Sequence, residues 1–315
     1  MKIAITGGKG FVGSNLIKTI DTQKNQIIVL TRGETKSDGL IKYINTNYRD
    51  ENSVIKATQG AEIIIHLAAT LFARNKNEFI KENVISTRNL IKASNINGVK
   101  KFIYISSLAA GGTSKDFRRP RTEDTPDNPQ SNYGISKLMA EEELKKLKTD
   151  WVILRPPIVY GPKDDGFSTI AEWVRKGIMI SPSSSDARFS FIFVKDLARC
   201  IVKCVEDDNI KNEKYYVCEN KIYAWEEFIT IMSNMMGVKK PKMIKMPKSM
   251  LNLTALTYEI FSYIAKTKPV LNRDKVREAC SYHWIASPKK WEEKTGMKNW
   301  TSIEEGLKIT FSNLV

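Results

Sequence analysis

The chain has 315 residues, of which 42% are hydrophobic and 27% are charged, and its formal net charge is +15. This length exceeds one comfortable hydrophobic core and predicts a large domain with a smaller one attached, and no run of about 18 apolar residues suggests a membrane-spanning helix. The lysines are spread along the chain rather than gathered in one stripe, so the positive charge favours anionic ligands without predicting a nucleic-acid partner.

Strand-like and helix-like segments alternate through the first third of the chain. Apolar, β-branched runs that predict buried strands occur at 2–6, 26–30, 61–67 and 100–106. Helical patterns follow the first of these runs over 11–20 and precede the last one up to residue 97. The alternation predicts a doubly wound parallel α/β sheet covered by helices on both faces.

The remaining segments predict a second, smaller unit. Residues 111–132 are rich in Gly, Pro, Asp and Arg and predict a long functional loop. The elements predicted after it are a helix over 132–148, strands over 151–155, 189–194 and 214–218, and a helix over 196–206 with Asp196 as its N-cap. We assign residues 1–165, with a return crossing near 190–220, to the first domain. Residues 166–189 and 221–315 are assigned to a smaller, mainly helical lobe.

A glycine-rich turn, TGGKGFVG, follows the first predicted strand. Closely spaced glycines between a strand and a helix let backbone N–H groups approach a phosphate, and the helix N-terminus favours its negative charge. Gly8, Gly10 and Gly13 satisfy GxGxxG, and Gly7, Gly10 and Gly13 have the TGxxGxxG spacing. In this position the motif predicts a dinucleotide site, with a purely structural turn as the alternative.

The residues after the second predicted strand bear on which dinucleotide is bound. An acid there would bond the ribose 2′-hydroxyl of NAD, whereas an arginine accommodates the 2′-phosphate of NADP. Thr31 stands at the position of the acid and Arg32 follows it. Because a guanidinium binds a phosphate bidentately, we predict NADP(H) as the preferred cofactor, with NAD as the alternative.

Tyr133 and Lys137, in the segment YGISK, lie four residues apart on a predicted helix and share one face. A tyrosine with a pKa of about 10 carries protons poorly at neutral pH, and a neighbouring ammonium favours its phenolate. Ser106 and Ser107 stand at the carboxyl end of a predicted strand, where open α/β sheets bind ligands. These side chains predict an acid–base site, although an isolated YxxxK is more typical of a surface helix.

Together these motifs resemble the extended short-chain dehydrogenase/reductase superfamily, which includes NAD(P)-dependent epimerases and dehydratases. The segments IIIHLAA, LRPPIVYGP and FSFIFVKDLA follow in the expected order. The resemblance implies a Rossmann-type fold with Tyr133 as general acid/base, Lys137 as ligand of the nicotinamide ribose, and Ser107 as the serine that orients the substrate. The cofactor contacts it implies are Gly7, Gly10, Phe11, Val12, Gly13, Thr31, Arg32, Asn47, Leu67, Ala68, Ala69, Asn83, Ser106, Tyr133, Lys137 and Pro156.

Two branches of this superfamily compete as the assignment. Members that act on nucleotide sugars commonly have an Asn after the LR of LRPPIVYGP, and this chain has Ile158 there. Without that donor, the binding of a diphosphate is weaker by about 1 to 3 kcal/mol. The sequence therefore favours the branch that resembles 3β-hydroxysteroid dehydrogenase and dihydroflavonol reductase. The first hypothesis is therefore an oxidoreductase that interconverts a ketone and a secondary alcohol on a small apolar substrate. The others are a nucleotide-sugar 4-epimerase or dehydratase holding NAD, and a dinucleotide-binding scaffold without turnover.

An apolar stripe with a basic flank occurs near the C-terminus. The stripe recurs at helical spacing and consists of Met250, Leu253, Thr257, Ile260, Phe261 and Ile264. The flank consists of Lys239, Lys240, Lys242, Lys245 and Lys248. We interpret the stripe as core of the lobe. The alternatives are a lining for a lipophilic substrate and a surface that rests on an anionic membrane.

The spacing of the cysteines and the N-terminal residues indicate in which cellular compartment the protein is expected and whether it binds a metal. The four cysteines show no CxxC pair and the two histidines, His66 and His283, lie far apart, so we expect reduced thiols and no metal site. The chain enters a predicted strand at Ile3 with no apolar leader, which predicts a cytoplasmic protein. The family resemblance implies a homodimer.

Overall fold

A central β-sheet organises the part of the chain that the computed structural model describes, residues 1–33, 35–182, 186–265, 267, 269 and 271–312. The strands are β1 (Lys2–Thr6), β2 (Gln26–Thr31), β3 (Lys36–Asp38), β4 (Ile41–Asn45), β5 (Ile63–His66), β6 (Lys101–Ile105), β7 (Asp150–Arg155), β8 (Ile158–Tyr160), β9 (Ile178–Pro182), β10 (Arg188–Phe189), β11 (Phe191–Phe193), β12 (Glu213–Tyr216), β13 (Tyr223–Ala224) and β14 (Lys242–Met246). The main sheet has eight strands in the order β12-β7-β6-β5-β1-β2-β4-β3 and is parallel apart from β3. The predicted α/β class is confirmed.

Helices cover the sheet and build most of the lobe. They are α1 (Phe11–Thr19), α2 (Glu51–Ala57), α3 (Lys76–Phe79), α4 (Ser86–Asn97), α5 (Leu108–Gly111), α6 (Asn132–Glu143), α7 (Asp165–Arg175), α8 (Val194–Glu206), α9 (Trp225–Met235), α10 (Lys248–Ile264), α11 (Arg273–Ala279), α12 (Lys289–Thr295) and α13 (Ile303–Phe311). A π-helical turn, Ile80–Ile85, joins α3 to α4. Among the described residues, no helix has the length and apolar character needed to cross a bilayer.

The strand order reverses beside β1. This strand pairs with β2 on one side and with β5 on the other, and both pairs are parallel. The chain therefore builds outward from β1 in both directions, and the carboxyl ends of β1 and β5 diverge into a crevice. Open α/β sheets bind their ligands at this switch point.

Both faces of the central strands are buried, which explains why β1, β2, β5 and β6 are apolar runs rather than alternating ones, whereas the edge strand β3 is exposed. On one face, Leu16 of α1 and Leu197 of α8 pack against the Ile and Val side chains of the central strands. On the other, Val54, Leu90 and Ala140 come from α2, α4 and α6. The two helical layers fix the carboxyl ends of the strands, where the predicted site residues stand.

The lobe has an aromatic core of its own. Phe167, Phe191 and Phe228 pack together, and the rings of the last two stack with centroids 4.6 Å apart. The chain then returns to the main sheet, because Trp291 of α12 is fully buried against Tyr215 of β12. The division into two domains stays a prediction, and this tryptophan shows that the C-terminal segment contributes to the core of the sheet.

Some predicted elements differ from those observed. Asp196 is not an N-cap: α8 already begins at Val194, and the Asp196 carboxylate accepts hydrogen bonds from Thr301 N (2.6 Å) and Thr301 Oγ1 (2.9 Å). The helix predicted over 132–148 ends as an α-helix at Glu143 and continues as a 3-10 turn, Leu144–Lys146. The strand predicted over 189–194 is divided at Ser190 between β10 and β11.

Candidate active site

A groove of about 330 Å³ opens where β1, β2 and β5 end. Its walls are Gly7, Gly8, Lys9, Gly10, Leu30, Thr31, Arg32, Tyr48, Ala68, Ala69, Thr70, Glu82 and Ser86. These residues come from the glycine turn, the end of β2 and the segment after β5. The groove therefore lies at the switch point of the sheet.

The glycine turn fits a phosphate group because its backbone is packed too closely for side chains. Gly7 has a φ of 70°, and a Cβ there would lie 2.9 Å from the backbone nitrogen of Ala68. A Cβ at Gly13 would lie 2.2 Å from the carbonyl oxygen of Gly7. Gly10 is the N-cap of α1 and has no side chain to occupy the N-terminal N–H groups of that helix. The turn leaves these donors for an anion.

One end of the groove is cationic. Arg32 and Lys9 both belong to its wall, and the Thr31 hydroxyl accepts a hydrogen bond from Gly33 N at 3.2 Å. Tyr48 donates to the Leu30 carbonyl at 2.6 Å, and burial raises its pKa to about 12. Asn47, predicted near the adenine, is exposed and is not among the lining residues. Its neighbour Tyr48 occupies the wall instead.

A second cavity of about 360 Å³ lies beyond the end of β6. It is lined by Ser107, Leu108, Ala109, Tyr133, Pro157, Ile158, Phe189, Lys275, Glu278, Ala279 and Trp284. Most of this wall is apolar. The polar groups that reach it are Ser107 and Tyr133 from the sheet domain, and Lys275 and Glu278 from α11.

Ser107 and Tyr133, predicted as catalytic residues, lie together in this second cavity. Both side chains belong to its wall, and Ser107 Oγ accepts a hydrogen bond from Ala109 N at 3.1 Å. Gly134 permits the approach, because a Cβ there would lie 2.3 Å from the Ala109 carbonyl oxygen. Burial raises the pKa of the Tyr133 phenol and the Glu278 carboxylate raises it further, whereas the nearby Ser107 hydroxyl opposes the shift. This direction is opposite to the one expected from the Tyr–Lys spacing.

Lys137 is buried one helical turn from Tyr133. Its Nζ donates to the Ile105 carbonyl at the end of β6 (2.7 Å) and lies 4.2 Å from the centre of the Tyr104 ring. Burial lowers the pKa of Lys137 to about 7, and the Glu141 carboxylate opposes that shift. The ammonium is thus held at the strand end rather than against the phenol, and removal from water dominates the pKa values of both groups.

The lobe holds the N-terminus of α6 through two carboxylates. Asp274 accepts from Asn132 N through both of its oxygens, at 3.0 and 2.9 Å. Glu278 accepts from the Ser131 hydroxyl, and Ser131 in turn accepts from Gly134 N at 3.0 Å. Carboxylates are favoured at the positive end of a helix. These contacts fix the first turn of α6, which carries Tyr133.

A buried ionic network lies beneath the serines. Arg155, at the end of β7, binds Asp127 through Nη1 (2.6 Å) and Nη2 (2.8 Å). It also binds Glu141 through Nε (3.0 Å) and Nη2 (2.6 Å). Glu141 accepts from the hydroxyl of Ser106, and Arg155 Nη1 donates to Tyr216 at 3.0 Å. The network connects the loop before α6, and α6 itself, to strands β6, β7 and β12.

Two further buried side chains tie down the segment after β5. The Asn83 amide contacts Thr70 N (2.8 Å) and the hydroxyl of Ser136 (2.9 Å). His66 bonds to the hydroxyls of Thr6 (2.7 Å) and Thr87 (2.9 Å), and burial lowers its pKa to about 3. Both groups join the walls of the groove to neighbouring helices.

Of the other predicted cofactor contacts, some line the groove and others have their side chains packed in the core or bonded to neighbouring groups. Ala68 and Ala69 line it directly. Phe11 and Val12 pack their side chains against the lobe core, Leu67 packs against the sheet core, and the Pro156 carbonyl accepts from Leu108 N at 2.8 Å. Ser106 is engaged by Glu141, and Asn83 by α6, so neither is free to turn toward the groove. The binding roles of these residues stay predictions.

Sequence reasoning missed several lining residues. Tyr48 is next to the predicted Asn47, and Lys9 lies inside the glycine motif, so both had a signal in the sequence. Lys275 and Glu278 of α11 lie outside every motif quoted from the sequence. Trp284 had no local signal, because it reaches the cavity through the tertiary fold.

Known proteins resemble this chain along most of its length. A family model described as NAD dependent epimerase/dehydratase family matches residues 3–218. A UDP-glucose 4-epimerase of Vibrio cholerae is 29% identical over 242 residues, which cover 72% of this chain and 73% of the relative. A ceramide reductase of Caulobacter vibrioides is 25% identical over 289 residues, which cover 90% and 86%. The solved structure of a UDP-glucose 4-epimerase from Thermotoga maritima with UDP-glucose has a TM-score of 0.80 at 22% identity, covering 100% of this chain and 98% of that one.

Proposed function

This chain belongs to the NAD dependent epimerase/dehydratase family, whose members are enzymes of the extended short-chain dehydrogenase/reductase type, and from that premise we propose that it is an NADP(H)-preferring reductase. It interconverts a ketone and a secondary alcohol on an apolar substrate. The observation that carries the proposal is the pairing of Ser107 with Tyr133 in the wall of a mostly apolar cavity.

The groove supports dinucleotide binding. Gly7, Gly10 and Gly13 provide a turn that side chains would fill, and the N-terminus of α1 offers donors to a pyrophosphate. Lys9 and Arg32 offer two cations where a ribose 2′-phosphate would need them, which favours NADP over NAD. When bound, the nicotinamide supplies or accepts the hydride.

Tyr133 can supply the proton that a reduction requires. A phenol that stays protonated at neutral pH is a proton donor, and a ketone oxygen that receives a hydride at its carbon needs one proton. Ser107 donates a second hydrogen bond to the same oxygen and orients it. Lys137, whose Nζ is held at the end of β6 by the Ile105 carbonyl, binds the ribose.

The cavity wall supports an apolar substrate. Ile158, Phe189 and Trp284 surround the approach to Tyr133, and apolar walls of this kind give binding energy by removing substrate surface from water. The ceramide reductase among the relatives acts, by its name, as a reductase on a lipid. A lipid carbonyl compound is therefore the substrate class that we favour.

A nucleotide-sugar 4-epimerase is the second candidate. It is supported by the Vibrio cholerae relative and by the Thermotoga maritima structure. In that case NAD would be held tightly and would show no net turnover. Ile158 counts against this candidate, because a diphosphate at that wall would lack a donor.

Cofactor turnover distinguishes the two candidates. We expect a panel of hydrophobic ketones and aldehydes to include compounds that consume NADPH stoichiometrically with alcohol formation, measured by absorbance at the nicotinamide band and by product analysis. The matched control is the same panel with Tyr133→Phe. Interconversion of a UDP-sugar without added cofactor, combined with no NADPH consumption on any carbonyl compound, would replace this proposal with the epimerase.

A further inference from the structure

Helix α10 is apolar and exposed at the same time. Leu253, Phe261, Tyr263 and Ile264 are 63%, 66%, 76% and 74% exposed, and within this fully described helix only Ala255 and Ser262 are buried. The interpretation of its stripe as lobe core was therefore wrong. Exposed apolar patches of this kind mark interaction surfaces.

The surface beside α10 is basic. Residues 228–258 contain five lysines and no acidic residue. Lys239, Lys242, Lys245 and Lys248 are all exposed, and they lie on or directly before β14 and at the start of α10. Exposed lysines therefore predominate along the border of these apolar side chains, although Lys240 is paired with Glu226 (2.6 Å) and Glu259 of α10 is paired with Arg273 (3.0 Å). This excess of cations fits a partner that is apolar inside and anionic at its surface.

The same strand reaches a third cavity. Met243 and Lys245 of β14 line a space of about 740 Å³, together with Ile180 and Trp225. This space shares Ile158, Phe189 and Ala279 with the cavity that holds Tyr133. Strand β14 therefore lines a space that adjoins the candidate active site, and Asp186 and Glu226 also belong to the wall of that space.

We propose that helix α10 and strand β14 form a docking surface for an anionic phospholipid bilayer. The apolar side chains of α10 enter the boundary between headgroups and acyl chains, with Tyr258 and Tyr263 at headgroup level, and the lysines contact lipid phosphates. A substrate dissolved in the bilayer would then reach Tyr133 along the joined cavities. Only this last step rests on the proposed function.

A second copy of the chain fits this surface less well than a bilayer does. In a symmetric dimer each copy presents the same patch to the other, so the lysines of both copies would be brought together. Like charges in contact are repelled, whereas anionic lipids neutralise them. The charge pattern thus favours lipid over self-association.

The test is co-sedimentation of the full chain with vesicles, without cofactor or substrate. We expect binding to vesicles of equal phosphatidylglycerol and phosphatidylcholine, weak binding to phosphatidylcholine alone, and loss of binding as salt is raised. Replacing Lys239, Lys242 and Lys245 by Gln lowers affinity by about 100-fold. The matched control replaces Lys18, Lys115 and Lys298, which are exposed elsewhere, and leaves affinity within about twofold.

A second variant pair tests the apolar contribution. Phe261→Ser with Ile264→Ser lowers vesicle affinity at least tenfold, because two large apolar side chains no longer leave water on binding. Ile96→Ser, at an exposed position of α4, does not. Equal binding by all variants, or no binding by the wild type, would overturn the proposal. A shift from dimer to monomer in the α10 variant, measured by light scattering, with no vesicle binding would assign the surface to a second copy. Carbonyl reduction in detergent is measured separately, so failure of docking and failure of the proposed activity are distinguishable.

Discussion

Helices α6 and α10 invert the usual rule that apolar side chains are inside and polar ones outside. α6 buries Tyr133, Lys137 and Glu141, whereas α10 exposes Leu253 and Phe261. A buried polar group and an exposed apolar patch are the informative departures from average burial. The buried polar groups of α6 are stabilised by hydrogen bonds and by opposite charges within the chain. No other part of the described chain covers the exposed apolar side chains of α10.

The contrast teaches what each helix depends on. The polar groups of α6 are expensive to bury and are compensated by Arg155, by Asp274 and by strand-end carbonyls, so changes there should alter stability and chemistry together. The apolar groups of α10 contribute little to the fold, so changes there should alter association alone.

Arg155→Leu should give the largest loss of stability. It leaves Glu141 and Asp127 without their guanidinium partner, and breaking a buried pair costs about 3 to 5 kcal/mol. Urea unfolding followed by circular dichroism measures the change, with Arg175→Leu on the exposed end of α7 as the control. If the two variants were equally stable, the network would not support the site.

Tyr133→Phe should abolish most catalysis without harming the fold. Removal of the general acid lowers turnover by about 100-fold or more, while cofactor affinity stays nearly unchanged because the phenol ring is retained. Steady-state kinetics and a cofactor titration give the two values. Wild-type turnover in this variant would exclude the assigned role.

Arg32→Ser should separate the two cofactors. Loss of a guanidinium that binds the 2′-phosphate lowers the affinity for NADPH by about 10- to 100-fold. The affinity for NADH, which lacks that phosphate, changes by no more than a few fold. Fluorescence titration of both reduced cofactors provides the measurement. An equal change for NADPH and NADH would mean that Arg32 is a solvated loop residue.

Acid should destabilise the chain through His66. Its folded pKa of about 3 lies below the unfolded value of 6.5, so the unfolded state binds more protons between these values and stability falls as the pH drops below 6.5. Between pH 6.5 and 5 the loss is about 1 to 2 kcal/mol. The midpoint of urea unfolding should fall less steeply with decreasing pH for His66→Gln than for the wild type. Equal slopes for the two proteins would contradict the assignment of this acid sensitivity to His66.

Phe261→Ala should have the smallest effect on stability. Substitution of a side chain that is 66% exposed changes the free energy of unfolding by less than about 0.5 kcal/mol. Thermal unfolding of this variant is compared with that of Phe102→Ala, in which the lost ring comes from the fully buried strand β6. A large loss for Phe261→Ala would place α10 in the folded core.

The sequence predicted the sheet and the reactive groups because those signals are local. The glycine turn, the apolar strands and the pair Tyr133–Lys137 each lie within one short segment. Periodicity also predicted α10, but it shows only which side chains share a face and not whether anything covers that face. The start of α8 was misplaced for a similar reason, since Asp196 caps nothing locally and instead binds Thr301, more than a hundred residues away.

The walls of the candidate site could not be predicted. Asp274 and Glu278 hold the start of α6 across about 140 residues of sequence, and no local pattern announces that contact. The pKa of Tyr133 was predicted in the wrong direction because spacing gives the neighbour but not the desolvation. Both the contact between α11 and the start of α6 and the pKa of Tyr133 depend on packing between segments that are far apart in the sequence.

The central claim is that Tyr133 and Ser107 serve a hydride transfer with net consumption of the cofactor. The most direct measurement is the isotope content of the product formed with NADPH that carries deuterium at both C4 positions of the nicotinamide. We predict an alcohol with one deuterium on its carbinol carbon, formed by the wild type and nearly lost with Tyr133→Phe. A product without deuterium, formed while the cofactor pool stays unchanged, would contradict the account.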